Sequence, residues 1–208
     1  MKRPVGRGIP ALMLLALLFL AAPIAVLASD HADPTDLTDP YANITGLFFY
    51  PKGDQYIMIF NVRRSLTAPK PYDLTPYEYV VNIDLTTPVT FNSEEDRARY
   101  GGTIATPEKI HPDVTFTIHL NDDTTLKIMD VKGLKDPNRI RVFTGVRDDP
   151  FVFPRFFKVN VISMVMSIPK DAFPAGQQDF ILWGSTWKNG VKIVSPIPAF
   201  IFHSGASL

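Results

Sequence analysis

The sequence predicts an all-β protein: a single antiparallel β-sandwich or barrel-like domain with one short helix, preceded by an N-terminal apolar helix. Three observations predict this fold. About ten short segments with a strand pattern recur at spacings of roughly ten residues, which is typical of sandwiches and barrels. The 19 prolines are spread along the 208 residues and disfavour long helices. A hydrophobic fraction of 46% is sufficient for one packed core.

The N-terminal segment, residues 1–28, predicts export. Its first eight residues carry three basic side chains, and residues 9–28 carry no charge. Small side chains at Val26 and Ala28 fit the cleavage site of a secretory signal peptide. The same uncharged stretch would form a helix of about 30 Å, long enough for an uncleaved membrane anchor. Under both interpretations residues 29–208, the predicted β-domain, lie on the periplasmic or extracellular side, either anchored or secreted.

The first predicted strands follow a polar, acidic lead-in at residues 29–43. Residues 45–50 and 55–62 are rich in strand-forming side chains and flank a turn that contains proline and glycine, which predicts a hairpin. Residues 77–84 alternate between a face of aromatic and apolar side chains and a largely polar face. This period of two predicts a strand with one buried face.

The remaining elements are one short helix and several further strands. Ser93 can cap a helix at residues 93–100, because acidic residues follow it in the first turn. A second hairpin is predicted from residues 114–120 and 125–131, which flank an Asn-Asp-Asp-Thr turn. Further strands are predicted at residues 139–144, in part of 156–168, and at 180–186, 191–194 and 200–202. No linker is long enough to divide residues 29–208, which predicts one domain.

Composition excludes several classes of function. Basic and acidic residues number 21 each. Because three of the bases lie in the first eight residues, residues 29–208 carry 18 bases against 21 acids, and such a domain offers no basic surface for nucleic acid. The absence of cysteine excludes disulfides, thiolate metal sites and thiol nucleophiles. No cofactor is predicted other than Ca²⁺, for which two segments are candidates.

The first candidate segment for Ca²⁺ is the lead-in. Asp30 and Asp33 begin a series of four aspartates at intervals of three, with His31 among them. Closely spaced carboxylates in an irregular segment suit Ca²⁺, which takes about six to eight oxygen ligands. The spacing does not match the helix–loop–helix calcium loop. The series is more typical of a solvated acidic linker in which aspartates cap turns before proline, and the Ca²⁺ site is the alternative interpretation.

The second candidate segment is residues 145–151 (GVRDDPF). Asp148 and Asp149 follow a predicted strand and are flanked by Arg147 and Pro150. The two carboxylates could bind Ca²⁺, or they could form an ion pair that holds a loop against the sheet. Acid–base catalysis is a third interpretation. It is disfavoured because consecutive residues of an extended chain point to opposite sides.

Aromatic side chains near the C-terminus are candidates for a partner interface. Trp183 and Trp187 lie on one face of a predicted strand, where they could contact a protein partner or lipid, or cap the core.

The four histidines lack the spacing of a zinc site. Met164 and Met166 lie on a segment that is apolar on both faces, which is typical of a core strand.

Several segments resemble a bacterial family of exported proteins, the domain-of-unknown-function family 4331. They are residues 29–34 (SDHADP) with Thr38-Asp39, residues 44–51 (ITGLFFYP) and above all residues 143–151 (FTGVRDDPF). Family members carry a Gly-x-Arg-Asp-Asp-Pro-Phe block that is often followed by an asparagine-led strand ending in proline, as residues 160–169 do here. Pro154 departs from the family pattern, in which an acidic residue often occupies this position. The resemblance spans most of residues 29–187 and implies export and a β-fold, but no activity.

Three functions are compatible with these features. The favoured one is a non-catalytic domain, anchored by residues 9–28, that acts as an accessory or structural subunit of a larger membrane complex. An electron-transfer or photosynthetic assembly is one example, with protein partners at the outer membrane face. The first alternative is a secreted binding module whose carboxylates hold Ca²⁺. The second alternative is a hydrolase that uses Asp148 or Asp149 with a histidine.

Overall fold

Two antiparallel β-sheets pack face to face in the computed structural model of the chain. The structure describes residues 28–29, 39–64, 66–91, 93, 103–104, 106–149, 160–194 and 200–203. Within these ranges the chain forms strands β1 to β13 and three short 3-10 turns. No helix in this described part is long and apolar enough to cross a membrane.

The first sheet, sheet A, has five strands in the order β1-β2-β3-β10-β9. They are β1 (Ala28–Ser29), β2 (Ile44–Lys52), β3 (Gln55–Arg64), β9 (Arg141–Asp148) and β10 (Asn160–Pro169). β2 and β3 form the hairpin predicted near the N-terminus. Gly53 lies in its turn with φ +59°, a conformation that glycine adopts without the steric penalty of a side chain.

The second sheet, sheet B, has the strand order β12-β11-β4-β7-β8, and β13 also pairs with β11. Its strands are β4 (Tyr77–Asp84), β7 (Val114–Leu120), β8 (Leu126–Lys132), β11 (Asp179–Lys188), β12 (Val191–Val194) and β13 (Phe200–His203). β7 and β8 form the second predicted hairpin. A separate two-stranded ribbon pairs β5 (Val89–Thr90) with β6 (Thr103–Ile104).

Alternating side chains from both sheets form one hydrophobic core. In β4 and β7 every second residue is buried in it: Tyr77, Tyr79, Val81 and Ile83, and Val114, Phe116, Ile118 and Leu120. Aromatic rings from both sheets cluster in one part of the core: Phe49, Tyr56, Phe173, Phe180 and Phe202. A Cβ at Gly184 of β11 would lie 2.7 Å from the Phe60 ring of β3, so the two sheets approach closely at this point.

The structure confirms an all-β chain with antiparallel sheets, and β4 and β7 have the predicted bounds. The predicted apolar helix, apart from Ala28, which lies in β1, and the predicted short helix at residues 93–100, apart from Ser93, lie outside the described residues. The predicted strand end at residue 144 was wrong. Asp148 does not follow a strand but is the last residue of β9, because Asn160 of β10 extends the pairing to this position.

Candidate docking surface

One side of the sandwich is left open by two edge strands, β8 of sheet B and β9 of sheet A. Within the described residues β8 pairs only with β7, and β9 pairs only with β10. Residues 133–140 connect β8 to β9, which keeps the two edges on the same side of the molecule. An edge strand presents backbone N–H and C=O groups that another strand can pair with. We call this region, from β8 across to β9, the open side.

A groove of about 530 Å³ runs along the open side. β8 forms one wall, and Ile140 and Val142 contribute to the other. Ile128 and Leu126 of β8 are 56% and 37% exposed. Large apolar side chains that remain exposed beside a groove are typical of surfaces that bind another molecule.

The side chains of β8 alternate between the two faces of sheet B. Met129 and Val131 pack against the core. Ile128, Asp130 and Lys132 lie on the opposite, outer face. The inner side of this edge is therefore apolar. Its outer side carries, in chain order, an apolar, an acidic and a basic side chain.

The loop after β4 is held by the carboxylate of Asp84, which is only 1% exposed. Its Oδ1 accepts hydrogen bonds from the backbone N–H groups of Thr86 and Thr87, both at 2.8 Å. Its Oδ2 accepts hydrogen bonds from the Thr87 hydroxyl and from the His111 N–H at 3.1 Å. Burial alone would raise the pKa of Asp84, but these hydrogen bonds outweigh it and lower the pKa. Both oxygens are thus engaged in holding the chain.

His111 and Asp113 complete this corner of sheet B. The His111 ring donates from Nδ1 to the Lys109 carbonyl at 2.8 Å, and its Nε2 lies 3.9 Å from Asp113 Oδ1. The hydrogen bond to Lys109, followed by the charges of Asp113 and Asp84, raises the pKa of His111. Asp113 also accepts a 2.7 Å hydrogen bond from the Leu85 N–H. The acids at this corner therefore order the loops that precede and follow the strands.

A second cluster joins the lead-in to sheet B. The Tyr77 hydroxyl donates to the Asp39 carboxylate at 2.6 Å, and Lys188 Nζ donates to Asp39 at 2.8 Å and to Tyr77 at 2.9 Å. Burial and the hydrogen bond to Asp39 raise the pKa of Tyr77 to about 12. Burial opposes ionisation of Asp39, but hydrogen bonds from Lys188 and Tyr77 outweigh it and lower the pKa of Asp39. We call these three side chains the Asp39 clamp.

The Asp39 clamp predicts a loss of stability at alkaline pH. The pKa of Tyr77 is raised from 10.0 to about 12 in the fold, so the neutral hydroxyl stabilises the fold fully below pH 10. This contribution is lost as the pH rises towards 12. We expect Tyr77→Phe to lower the free energy of unfolding at pH 8 by about 1.5–3 kcal/mol. Urea unfolding at a series of pH values should show that this deficit shrinks above pH 10.

The control for this experiment is Tyr50→Phe. Tyr50 is 39% exposed, so removal of its hydroxyl should change stability little at any pH. A Tyr77→Phe deficit that stays constant from pH 8 to pH 12 would contradict the inferred titration of the clamp.

A further carboxylate, that of Asp122, holds the loop before β4. Its Oδ1 accepts hydrogen bonds from the Thr75 hydroxyl and N–H at 2.8 Å and from the Leu74 N–H at 2.9 Å. These bonds, that of the Thr75 hydroxyl first, lower the pKa of Asp122. Asp39, Asp84 and Asp122 thus all act as acceptors that fix connecting segments.

The predicted Ca²⁺ ligands are only partly within the described residues. Asp148 and Asp149 lie at and directly after the end of β9, where Asp148 pairs with Asn160. Asp30 and Asp33 lie outside the described residues. Among the side chains that the structure describes, no three acidic or histidine groups are placed to hold a metal ion together. The Ca²⁺ site stays a prediction.

Trp183 and Trp187 lie on the outer face of β11. Their neighbour Leu182 points into the core, so the alternation of the strand turns both indole rings away from it. Both tryptophans are half-buried. The Trp187 Nε1 donates to Ser185 Oγ at 3.3 Å, and the Lys192 ammonium lies 5.9 Å from the Trp187 ring. This position is compatible with the predicted partner interface, which stays a prediction.

The open side is the part of the candidate surface that sequence reasoning missed. The hairpin of β7 and β8 is predicted from its turn, but the turn does not tell which of the two strands pairs with β4. Lys127, Asp130 and Lys132 are the available signal, because charged side chains are common on edge strands. This signal is weak, since charged residues are equally common on the solvent face of central strands.

Comparison with known proteins finds no family model and no curated protein that matches the chain. The resemblance to the domain-of-unknown-function family 4331 therefore stays a prediction based on the segments quoted above. The functional inference comes from the geometry of the chain itself.

Proposed function

We propose that the chain is an exported, non-catalytic domain, anchored by residues 9–28, that serves as an accessory subunit of a larger membrane complex. The observation that carries this proposal is strand β1. Ala28, the last residue of the apolar leader, and Ser29, the first residue of the domain, pair with Phe48 and Leu47 of β2. A peptide bond held in a strand is less accessible to a protease than one in an exposed loop, which favours a retained leader.

The position of β1 also supports a docking role for the open side. β1 lies at one edge of sheet A, and β9 lies at the other. Four strand spacings of about 4.8 Å separate them, a distance of about 19 Å. A leader that leaves the sandwich at the β1 edge would leave the open side accessible to a protein partner.

The last five residues of the lead-in, residues 39–43, are bound to both sheets. The Asp39 clamp ties them to β4 and β11 of sheet B. The Tyr79 hydroxyl donates to the Tyr41 carbonyl at 3.0 Å. The Arg63 N–H of β3 donates to the Asn43 carbonyl at 2.9 Å. These contacts fix the position at which the described chain enters the two sheets.

Three of the described acidic residues have a structural role, which supports a function without catalysis. Asp39, Asp84 and Asp122 accept hydrogen bonds that hold loops. Asp148 and His119, a pairing of the kind considered for hydrolysis, come from sheet A and sheet B respectively. The groove on the open side includes the apolar side chains of Met129, Val131, Ile140 and Val142, and apolar side chains suit the core of a protein interface.

Fractionation of the native cells tests this proposal. We expect the protein in the membrane pellet after washing with alkaline carbonate, with an intact mass that includes residues 1–28. In mild detergent we expect an assembly larger than one chain in its micelle. The control is a chain in which residues 1–28 are replaced by an efficiently cleaved signal peptide, which should be recovered as a soluble domain.

Two results would contradict the proposal in different ways. A soluble monomer that begins at Ser29 would refute both the anchor and the accessory role. A membrane-bound protein that runs as a single chain in its micelle would keep the anchor and refute the accessory role.

A further inference from the structure

We propose that β8 binds an extended segment of a partner polypeptide, which adds to sheet B as a further antiparallel strand and closes the open side. The inference rests on the proposed function, because the partner is a subunit of the same complex. Addition of a strand to a free sheet edge is a common mode of peptide recognition, in which the backbone supplies affinity and alternate side chains supply specificity.

The length and exposure of β8 favour this strand over the other edge of sheet B. β8 has seven residues, and strands in sheets commonly have about five or six. At the other edge, β12 and β13 both pair with β11 and have only four residues each. β12 also exposes an apolar side chain, Val191 at 62%. β8 therefore offers the longer ladder of backbone groups.

The groove determines the inner side of the added strand. Met129 and Val131 form part of one wall, and Ile140 and Val142 form part of the other. Every second side chain of an added strand would enter the space between these walls. Asn138 also lines the groove. Since the neighbouring side chains of β8 on this side, Met129 and Val131, are apolar and pack against the core, we expect apolar side chains at the inward-facing positions of the partner strand.

The outer face of β8 determines the charge pattern of the partner. Ile128, Asp130 and Lys132 occupy alternate positions on this face. The Asp130 and Lys132 side chains approach to 3.9 Å but remain 60% and 79% exposed, so both can pair with a further strand. Opposite charges placed directly across two strands stabilise the pair, and like charges destabilise it. An antiparallel partner therefore carries, in chain order, an acidic, a basic and an apolar residue on this face.

A second copy of the chain satisfies the two charges of this edge poorly, because no antiparallel register of two β8 strands brings Asp130 opposite Lys132 over more than three residues. Antiparallel pairing of two β8 strands centred on Met129 places Ile128 opposite Asp130. Pairing centred on Asp130 places that carboxylate opposite its own copy, which is repulsive. The register that brings Asp130 opposite Lys132 overlaps only residues 130–132 of the strand and leaves Ile128 uncovered. The edge is therefore complementary to a different polypeptide.

Synthetic peptides added to the full-length protein in detergent test the inference. The probe peptide contains Glu-Ile-Lys-Leu-Val flanked by threonines, so that its Glu, Lys and Val lie opposite Lys132, Asp130 and Ile128. The control peptide has the same composition with Glu and Lys exchanged. We expect the probe peptide to slow amide hydrogen exchange in β8 and to bind about tenfold more tightly than the control peptide.

Two variants locate the binding site. Ile128→Lys should weaken binding of the probe peptide at least tenfold, because it removes the apolar contact on the outer face. Val191→Lys is the matched control at a comparably exposed residue of β12 and should leave binding unchanged. Both positions are exposed, so neither substitution should affect folding.

Several results would overturn the inference. Equal affinity for the two peptides, or unchanged exchange at residues 126–132, would refute strand addition. Protection of β8 that increases with protein concentration would identify a second copy as the occupant, and protection by the detergent micelle alone would identify lipid. The assay does not depend on residues 1–28. A cleaved, soluble domain that binds the probe peptide would therefore keep strand addition and refute only the anchor.

Discussion

Replacement of Gly133 by alanine is expected to lower the free energy of unfolding by about 2–5 kcal/mol. Gly133 follows β8 directly and has φ +86°, and a Cβ at this position would lie 1.9 Å from the carbonyl oxygen of Asp113. The left-handed conformation costs alanine about 1–2 kcal/mol. Displacement of the backbone at the start of β7 adds about 1–3 kcal/mol. Urea unfolding of the purified variant measures the combined effect.

Gly176→Ala is the matched control for this prediction. Gly176 has a similar φ of +78°, but a Cβ there would meet no heavy atom within 4 Å. The control should therefore lose only the conformational part, about 1–2 kcal/mol. Equal losses for the two variants would contradict the close approach of the backbones at Gly133 and Asp113.

Asp84→Ala is expected to destabilise the fold by about 3–5 kcal/mol, because it leaves buried donors without an acceptor. The N–H groups of Thr86, Thr87 and His111 and the Thr87 hydroxyl all donate to this carboxylate. Asp84→Asn keeps one carbonyl oxygen but turns an amide towards these donors, so we expect an intermediate loss. Denaturant midpoints of the two variants and the wild-type protein provide the comparison.

The control for the Asp84 prediction is a carboxylate with similar hydrogen bonds but greater exposure to solvent, that of Asp122. Asp122 accepts three hydrogen bonds of the same kind but is more exposed than Asp84, so water can replace its carboxylate. Asp122→Ala should cost about 1 kcal/mol. A loss at Asp122 as large as that at Asp84 would show that burial does not determine the difference.

The lowered pKa of Asp84 gives this prediction a dependence on pH. A carboxylate with a depressed pKa contributes its stability above its ordinary value, here 3.8, and loses it as the pH falls through the depressed value. The difference in stability between the wild-type protein and Asp84→Asn should therefore shrink in acid. A difference that is independent of pH from 2 to 7 would contradict this account.

The core strands could be predicted because alternation is a local property of the sequence. Tyr77, Tyr79, Val81 and Ile83 recur at every second position, and all four are buried in the core. The turn at residues 121–124 likewise identifies the β7–β8 hairpin through the side chains it contains. Neither signal depends on where the rest of the chain lies.

The polar groups of the candidate site could not be predicted in the same way. Asp84 lies on the largely polar face of β4, and alternation predicts that this face meets solvent. It is 1% exposed instead, because Thr87 and the distant His111 cover it with their donors. The predicted strand end before Asp148 was wrong for a related reason, since the end of β9 depends on pairing with β10.

The sequence by itself determined which side chains enter the core and that the chain forms antiparallel strands, because burial and the period of two are properties of each segment. The tertiary structure decided which strands lie at an edge, where the leader joins the sheet and which carboxylates are buried from solvent. These features depend on contacts between segments far apart in the chain, such as Asp39 with Lys188, which are 149 positions apart. The free edge of β8 belongs to this second group, since it depends on β4 pairing with β7.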